Sequence, residues 1–256
     1  MAAAIVPGTR YEYRVDGSVA REYQGPITVT GTGVHRVTIE GSDGTAGAAD
    51  VRIDDAAPSI TAEAPATGAS YVWGAVVAER YRCDDSGSGI TSCSDTNAGG
   101  TVNTSRVGPQ EFTIRAEDAA GHVTSLRIPY TVTPAYRFQA LSPHAAFPGL
   151  NKSNAGDTVP IKFELFDAAG RELSDLRVIS STVSQRIGCA APGDTSQWTG
   201  AVTTARSNPA VRHDATGGYF IFNWQTDRTW GGTCRRFTLV TQDGVAHNLA
   251  FEFLKK

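Results

Sequence analysis

Hydrophobic and polar residues alternate with a period of two along most of this chain. In Glu111–Ile128, Phe112, Ile114 and Ala116 alternate with Thr113, Arg115 and Glu117, the pattern of a half-buried strand. Asp118-Ala119-Ala120-Gly121 supplies turn chemistry, an Asp that bonds nearby backbone and a Gly free to take positive φ. Val123, Leu126 and Ile128 begin a return strand, so the unit reads as a β-hairpin. Val37–Ile53 repeats it, with Val37, Ile39, Asp43, Val51, Arg52 and Ile53 aligned to Phe112, Ile114, Asp118, Leu126, Arg127 and Ile128. The turn recurs in FELFDAAGREL, Phe163–Leu173. Alternation also marks Tyr11–Val15, Tyr219–Trp224 and Leu249–Leu254, while long stretches at helical spacing are missing. The pattern predicts an all-β protein built from tandem modules.

Length and composition narrow the picture. The 256 residues leave room for two or three domains, and 40% hydrophobic residues suffice for buried cores. With 23 basic and 26 acidic residues the net charge is −3. No basic stripe of the kind a nucleic-acid binder shows is visible, and no stretch is long enough to span a bilayer.

The cysteines suggest a compartment. Cys83 and Cys93 bracket a Gly/Ser/Asp loop, and Cys189 and Cys234 both lie in the C-terminal third. Of the three connectivities open to four cysteines, local placement favours Cys83–Cys93 and Cys189–Cys234. No Cys-x-x-Cys spacing speaks for zinc. Two disulfides imply an oxidising, extracellular setting. The start, Met1–Pro7, has no basic region or apolar core of an export signal, so the chain reads as the C-terminal part of a larger exported protein with a domain upstream. A virion surface protein, for which Met1 is a true start, is the alternative.

Three modules are expected, 1–56, 57–134 and 135–256. In the first, Tyr13, Asp16, Gly17, Tyr23, Pro26, Gly33 and His35 resemble the short Ig-like β-modules found in series on bacterial extracellular proteins. With no Cys and few residues, such a module is marginal alone and should lean on its neighbour. In the second, Cys83-Asp84-Asp85-Ser86-Gly87-Ser88-Gly89-Ile90-Thr91-Ser92-Cys93 resembles the Ig-like modules of actinobacterial secreted proteins, a resemblance that implies a structural disulfide. In the third, Thr158–Leu165, Tyr219–Thr226 and Trp230–Arg235 resemble the PxKF-type bacterial domain, an appended extracellular module of unassigned activity. The fold expected is three tandem Ig-like β-sandwich modules in series.

Candidate chemistry is sparse. Asp84 and Asp85 offer carboxylates for Ca²⁺, but the loop lacks spaced Asp ligands and a terminal Glu, so solvated carboxylates on a disulfide-closed turn are the plainer reading. No Gly-x-Ser-x-Gly elbow, His-Glu-x-x-His or phosphate loop is present. The His residues are scattered, and the adjacent acid pairs point to opposite strand faces. The chain reads as non-enzymatic and without a cofactor. Asn103-Thr104-Ser105 and Asn151-Lys152-Ser153 are formal glycosylation sequons.

For a sugar-binding β-sandwich the Trp residues matter. Phe220, Phe222 and Trp224 share one strand face, expected to be core with Trp224 against the Cys189–Cys234 bridge, as in Ig-type packing. Trp73 is expected to be half-buried. Trp198, in the polar run Gly193–Gly200, is the candidate exposed contact, and Trp230 either closes the core edge or contacts ligand. The leading expectation is a non-catalytic spacer region. The alternative is a module binding polysaccharide or cell-surface glycan.

Overall fold

The computed structural model describes residues 6–97, 99–207 and 210–255, without the side chain of residue 197. Regular structure among them is β, apart from three short 3-10 turns. The chain divides into two compact units. One comprises Met1–Gly68, Val77–Val102 and Glu111–Pro129, the other Ala69–Val76, Asn103–Gln110 and Tyr130–Lys256.

The first unit begins with β1 (Tyr11–Val15), β2 (Arg21–Glu22), β3 (Gly33–Gly41) and β4 (Ala46–Ile53), which form one sheet in the order β2-β1-β3-β4. Within residues 6–56, Tyr11 is the one hydrophobic side chain that is fully buried. A single sheet with so little core cannot be stable by burial alone. Next come β5 (Ser59–Ala64), β6 (Ser70–Val72), β7 (Arg80–Asp84), β8 (Ile90–Asp95), β9 (Gly108–Asp118) and β10 (Val123–Thr133). In this unit β5 pairs with β7, and β8, β9 and β10 are neighbours in a second sheet. Phe112, Ile114 and Ala116 on β9 are fully buried, and Tyr81 of β7 packs on Phe112 with ring centroids 6.0 Å apart.

The second unit takes β6, paired parallel to the end of β10, and then β11 (Tyr136–Ala140), β12 (Leu150–Asn154), β13 (Thr158–Asp167), β14 (Ile179–Ile187), β15 (Thr203–Thr204), β16 (Arg212–Asp214), β17 (Tyr219–Gln225), β18 (Thr233–Thr241) and β19 (Ala246–Leu254). Sheet β11-β13-β17-β16 faces sheet β12-β19-β18-β14-β15. Alternation decides the inner face: Val159, Ile161, Phe163 and Leu165 on β13, Phe220, Phe222 and Trp224 on β17, Phe237 and Leu239 on β18, and Leu249, Phe251 and Phe253 on β19 join one core.

The hairpin turn is reused four times. Backbone N–H groups of Gly41, Asp118, Asp167 and Thr241 donate to the carbonyls of Thr45, His122, Arg171 and Val245. Each loop carries a Gly at positive φ, Gly44, Gly121, Gly170 and Gly244, the αL position of a three-residue hairpin connection. This corrects the alignment read from sequence. Gly41, not Asp43, occupies the place of Asp118, and the two-residue slip leaves every side chain on its expected face.

Candidate functional site

Cys83 on β7 and Cys93 on β8 are bonded, with Cα atoms 6.0 Å apart, which ties the β5–β7 ribbon to the sheet beneath it. The two loop carboxylates between them have separate tasks. Asp84 pairs with Arg82, while Asp85 Oδ1 accepts from the N–H groups of Gly87 (3.1 Å) and Gly89 (2.7 Å). They do not converge on one point as ligands of a cation must.

A different set does converge. Ligand atoms of Asp54, Asp118 and His122 lie within 4.8 Å of one another. Protein donors already engage both carboxylates. Asp54 accepts from the N–H of Ser88 (2.7 Å) and of Ala56 (3.0 Å). Asp118, with 2% exposure, accepts from His122 N (2.8 Å) and lies 2.9 Å from its Nδ1. Burial works against ionisation of Asp118, but the His122 hydrogen bonds outweigh it and hold the carboxyl below its ordinary range. Hydrogen bonds from Ser88, then Ala56, do the same for Asp54. The arrangement is a clasp. It fixes the segment after β4 onto the disulfide loop, and Ser88 Oγ extends it by accepting from Ala120 N (3.1 Å). Sequence gave no pointer to it, because Asp54 and Ser88 are far apart in the chain.

Cys189 and Cys234 are also bonded, with Cα atoms 5.2 Å apart. The bridge is not against Trp224. Cys234 lies three residues before Phe237 on β18, hence on the opposite face of the sheet, in a cluster with Ile187 and Ala250. Trp224 is fully buried on the inner side, packed on Trp230, Phe237, Phe251 and Phe253.

Trp198 is the aromatic that accompanies the bridge. It is half-buried rather than exposed and packs on the Ile187–Cys234–Ala250 cluster. Its Nε1 donates to Pro192 O (3.2 Å), and the Arg236 guanidinium sits 3.6 Å from its ring centroid. The bridge thus pins the segment around Trp198 across the sheet's outer face. Gln185 Nε2 fastens the same segment by donating to Trp198 O and Gly200 O.

Trp230 closes the core edge, half-buried against Trp224 and Phe253, with Arg235 3.8 Å over its ring. Trp73 is half-buried and donates from Nε1 to Ser105 O (2.9 Å). Of the sequons, Asn151 is buried and donates to the carbonyls of Ala146 and Ala250, so its amide is committed to the fold.

Beside Trp230 a cavity of about 700 Å³ opens, lined among others by Thr203, Arg206, Trp224, Gln225 and Asp227. A second recess, of about 580 Å³, is lined by Ala155, Arg228, Gly231 and Lys255. Hydrogen bonds from Thr229 hold Asp227 below the ordinary carboxylate range, so it is an anion at neutral pH. The indole N–H of Trp224 is buried with no acceptor among the described residues.

No family model matches the chain, and no curated protein matches it in sequence. Solved structures similar to it include fibronectin(III)-like modules of Clostridium thermocellum CbhA, 13% identical over 77% of this chain and 94% of that one, with a TM-score of 0.26. Domains 4–9 of the surface layer protein SbsC are 15% identical over 98% of this chain and 40% of that one, TM-score 0.23. SGBP-B of Bacteroides ovatus, solved with a mixed-linkage heptasaccharide, is 13% identical over 96% of this chain and 60% of that one, TM-score 0.24. The chain therefore spans less than two thirds of the last two. At such scores the likeness carries no argument about function. What stands is an all-β chain whose C-terminal strands form a two-sheet sandwich.

Proposed function

We propose that this chain is a non-catalytic accessory region of an extracellular or cell-surface protein, a spacer that positions a partner domain. Three modules, 1–56, 57–134 and 135–256, are the units of that reading, and the motif resemblances to bacterial secreted modules support it. The observation that carries it is that a carboxylate fixes the chain beside each of these boundaries, across the first and just inside the second. At the first, Asp54 accepts from Ser88 and Ala56. At the second, Asp243 of the β18–β19 turn accepts from the N–H groups of Ala135 (2.9 Å) and Tyr136 (3.3 Å). Trp73 and Tyr136 rings pack there as well, 6.2 Å apart. Joints held by charge-assisted hydrogen bonds suit a part whose task is to hold a distance. Two disulfides fit the oxidising setting outside the cell.

Small-angle scattering of the parent chain and of Asp54→Ala/Asp243→Ala tests this. A stiff spacer gives one narrow distance distribution that broadens in the double variant with secondary structure retained. A parent chain as broad as the variant overturns the reading.

A further inference from the structure

We infer that the end of the C-terminal sandwich around Trp230 is a binding site for an anionic saccharide chain, carboxylated or sulfated. The inference goes beyond the spacer reading and does not depend on it. Asp227–Gly231 contributes to two recesses, Asp227 and Trp230 to one and Arg228 and Gly231 to the other. One, about 700 Å³, is bordered by Arg206, Gln225 and Thr203; the other, about 580 Å³, by Arg228 and Lys255. Both volumes fall in the range of small-ligand sites, and two recesses that draw on one five-residue segment suit an extended chain better than a compact ligand.

The charge at this end decides the ligand's sign. Arg206, Arg228, Arg235 and Lys255 line or border these recesses without an ion pair among the described residues. The one lining carboxylate, Asp227, spends an oxygen on Thr229. Arg235 faces Arg186 directly across the β14–β18 ladder, a like-charge pairing that is destabilising and that concentrates positive charge at this end. Burial first, then Arg186, lowers its readiness to hold a proton, and the Asp227 carboxylate works in the opposite sense. Two buried donors here lack acceptors among the described residues, Trp224 Nε1 and Arg235 Nε, and buried donors are seldom left so.

The neutral groups point to hydroxyl-bearing units. Thr203 and Gln225 line the first recess together with Trp224 and Trp230, a mixture of hydrogen-bonding and apolar residues that suits the alternating faces of a sugar ring. Trp230 does not act as an open stacking platform, because Arg235 covers one face. Recognition must rest on the cations and the polar rim. Single-stranded nucleic acid is held by stacking successive bases on aromatic faces, whereas Trp230 is half-buried with one face under Arg235.

Affinity electrophoresis and calorimetry of the full chain with polygalacturonate, dextran sulfate, neutral dextran and a single-stranded oligonucleotide test the site. Retardation by at least one anionic polysaccharide, weakened by salt, is expected, with no retardation by neutral dextran. Arg206→Ala/Arg228→Ala, two exposed positions, should weaken binding about tenfold or more, the factor that 1.4 kcal/mol represents, at unchanged melting temperature. Saccharide addition should shift the Trp224 indole N–H resonance. No binding to either anionic polysaccharide, equal binding by the double variant, or tighter binding to the oligonucleotide overturns the inference.

Discussion

Cys234 and Phe237 lie three residues apart on β18 and face opposite sides of one sheet, the sulfur outward to Trp198 and the ring inward to Trp224. The bridge and the aromatic core of this module are therefore separate devices. Replacing both Cys189 and Cys234 by Ser should release the outer segment and remove on the order of 4 kcal/mol by the chain-entropy model. It should leave the near-ultraviolet signal of the Trp224 cluster intact at low temperature. Trp224→Ala removes the centre of the core and should cost about 3–5 kcal/mol, with that signal lost. Circular dichroism of the two variants separates the cases; loss of the aromatic signal in the Cys variant would show the devices to be one.

The contrast shows what the sequence made legible. Alternation on β17 identified Phe220, Phe222 and Trp224 as inner residues and marked β19 as a strand, although Ile221 and Ala250 are buried on the other face of these strands. The place of the bridge was also written in parity, in the odd interval between Cys234 and Phe237, but an Ig-like expectation of Trp against disulfide obscured it. Trp198 was not legible. Its neighbours in sequence are polar, and its burial comes from a covalent tether that lays a loop over a sheet face. The junction carboxylates and the recesses beside Trp230 were equally hidden, because residues distant in the chain assemble them.

His35 and His247 should respond to pH in opposite senses. His35 Nδ1 lies 2.7 Å from Asp16 Oδ2 and Nε2 lies 2.7 Å from Gly31 O. Both partners are acceptors, so both ring nitrogens donate and the imidazolium is favoured. Hydrogen bonds to Asp16, then Gly31, raise its pKa above 6.5. The stabilisation is complete below about 6.5 and is lost as pH rises through the raised folded value. His247, stacked on Phe138, has its pKa lowered by burial, partly opposed by Asp243. It takes up a proton more readily when unfolded, so stability around it falls as pH drops below about 6.5. Imidazole NMR titrations check both, and a His35 value at or below 6.5 would contradict the first.

Gly87 is required by the Asp54 clasp. A Cβ there would fall on the Asp54 carboxylate, although the Gly87 backbone itself is open to other residues. Gly87→Ala should cost about 1–3 kcal/mol, the usual range for inserted atoms, and should open the segment after β4 to proteolysis. Asp54→Ala combined with Gly87→Ala should recover part of the loss, since the clash is gone. If the double variant is no more stable than Gly87→Ala, the contact is not the source of the cost.

Asp243 concentrates four acceptances in one buried side chain. Oδ2 receives the N–H groups of Ala135 and Tyr136, and Oδ1 receives Thr241 Oγ1 (2.6 Å) and Val245 N (3.2 Å). Thr241 is fully buried and Asp243 has 4% exposure, so water cannot readily replace the carboxylate. A hydrogen bond to a charged group contributes about 1.5–3 kcal/mol, but the four share one anion and do not add. Asp243→Ala should therefore destabilise the C-terminal module by about 2–4 kcal/mol. Asp243→Asn keeps one oxygen and should lose roughly half of that, its amide having no acceptor to replace the second. Hydrogen exchange distinguishes a clamp from a mere turn residue. A clamp predicts faster exchange at Ala135 and Tyr136 as well as at Val245, whereas a turn residue affects Val245 alone. Unchanged protection at Ala135 and Tyr136 in Asp243→Ala would remove the second stiff joint from the spacer reading.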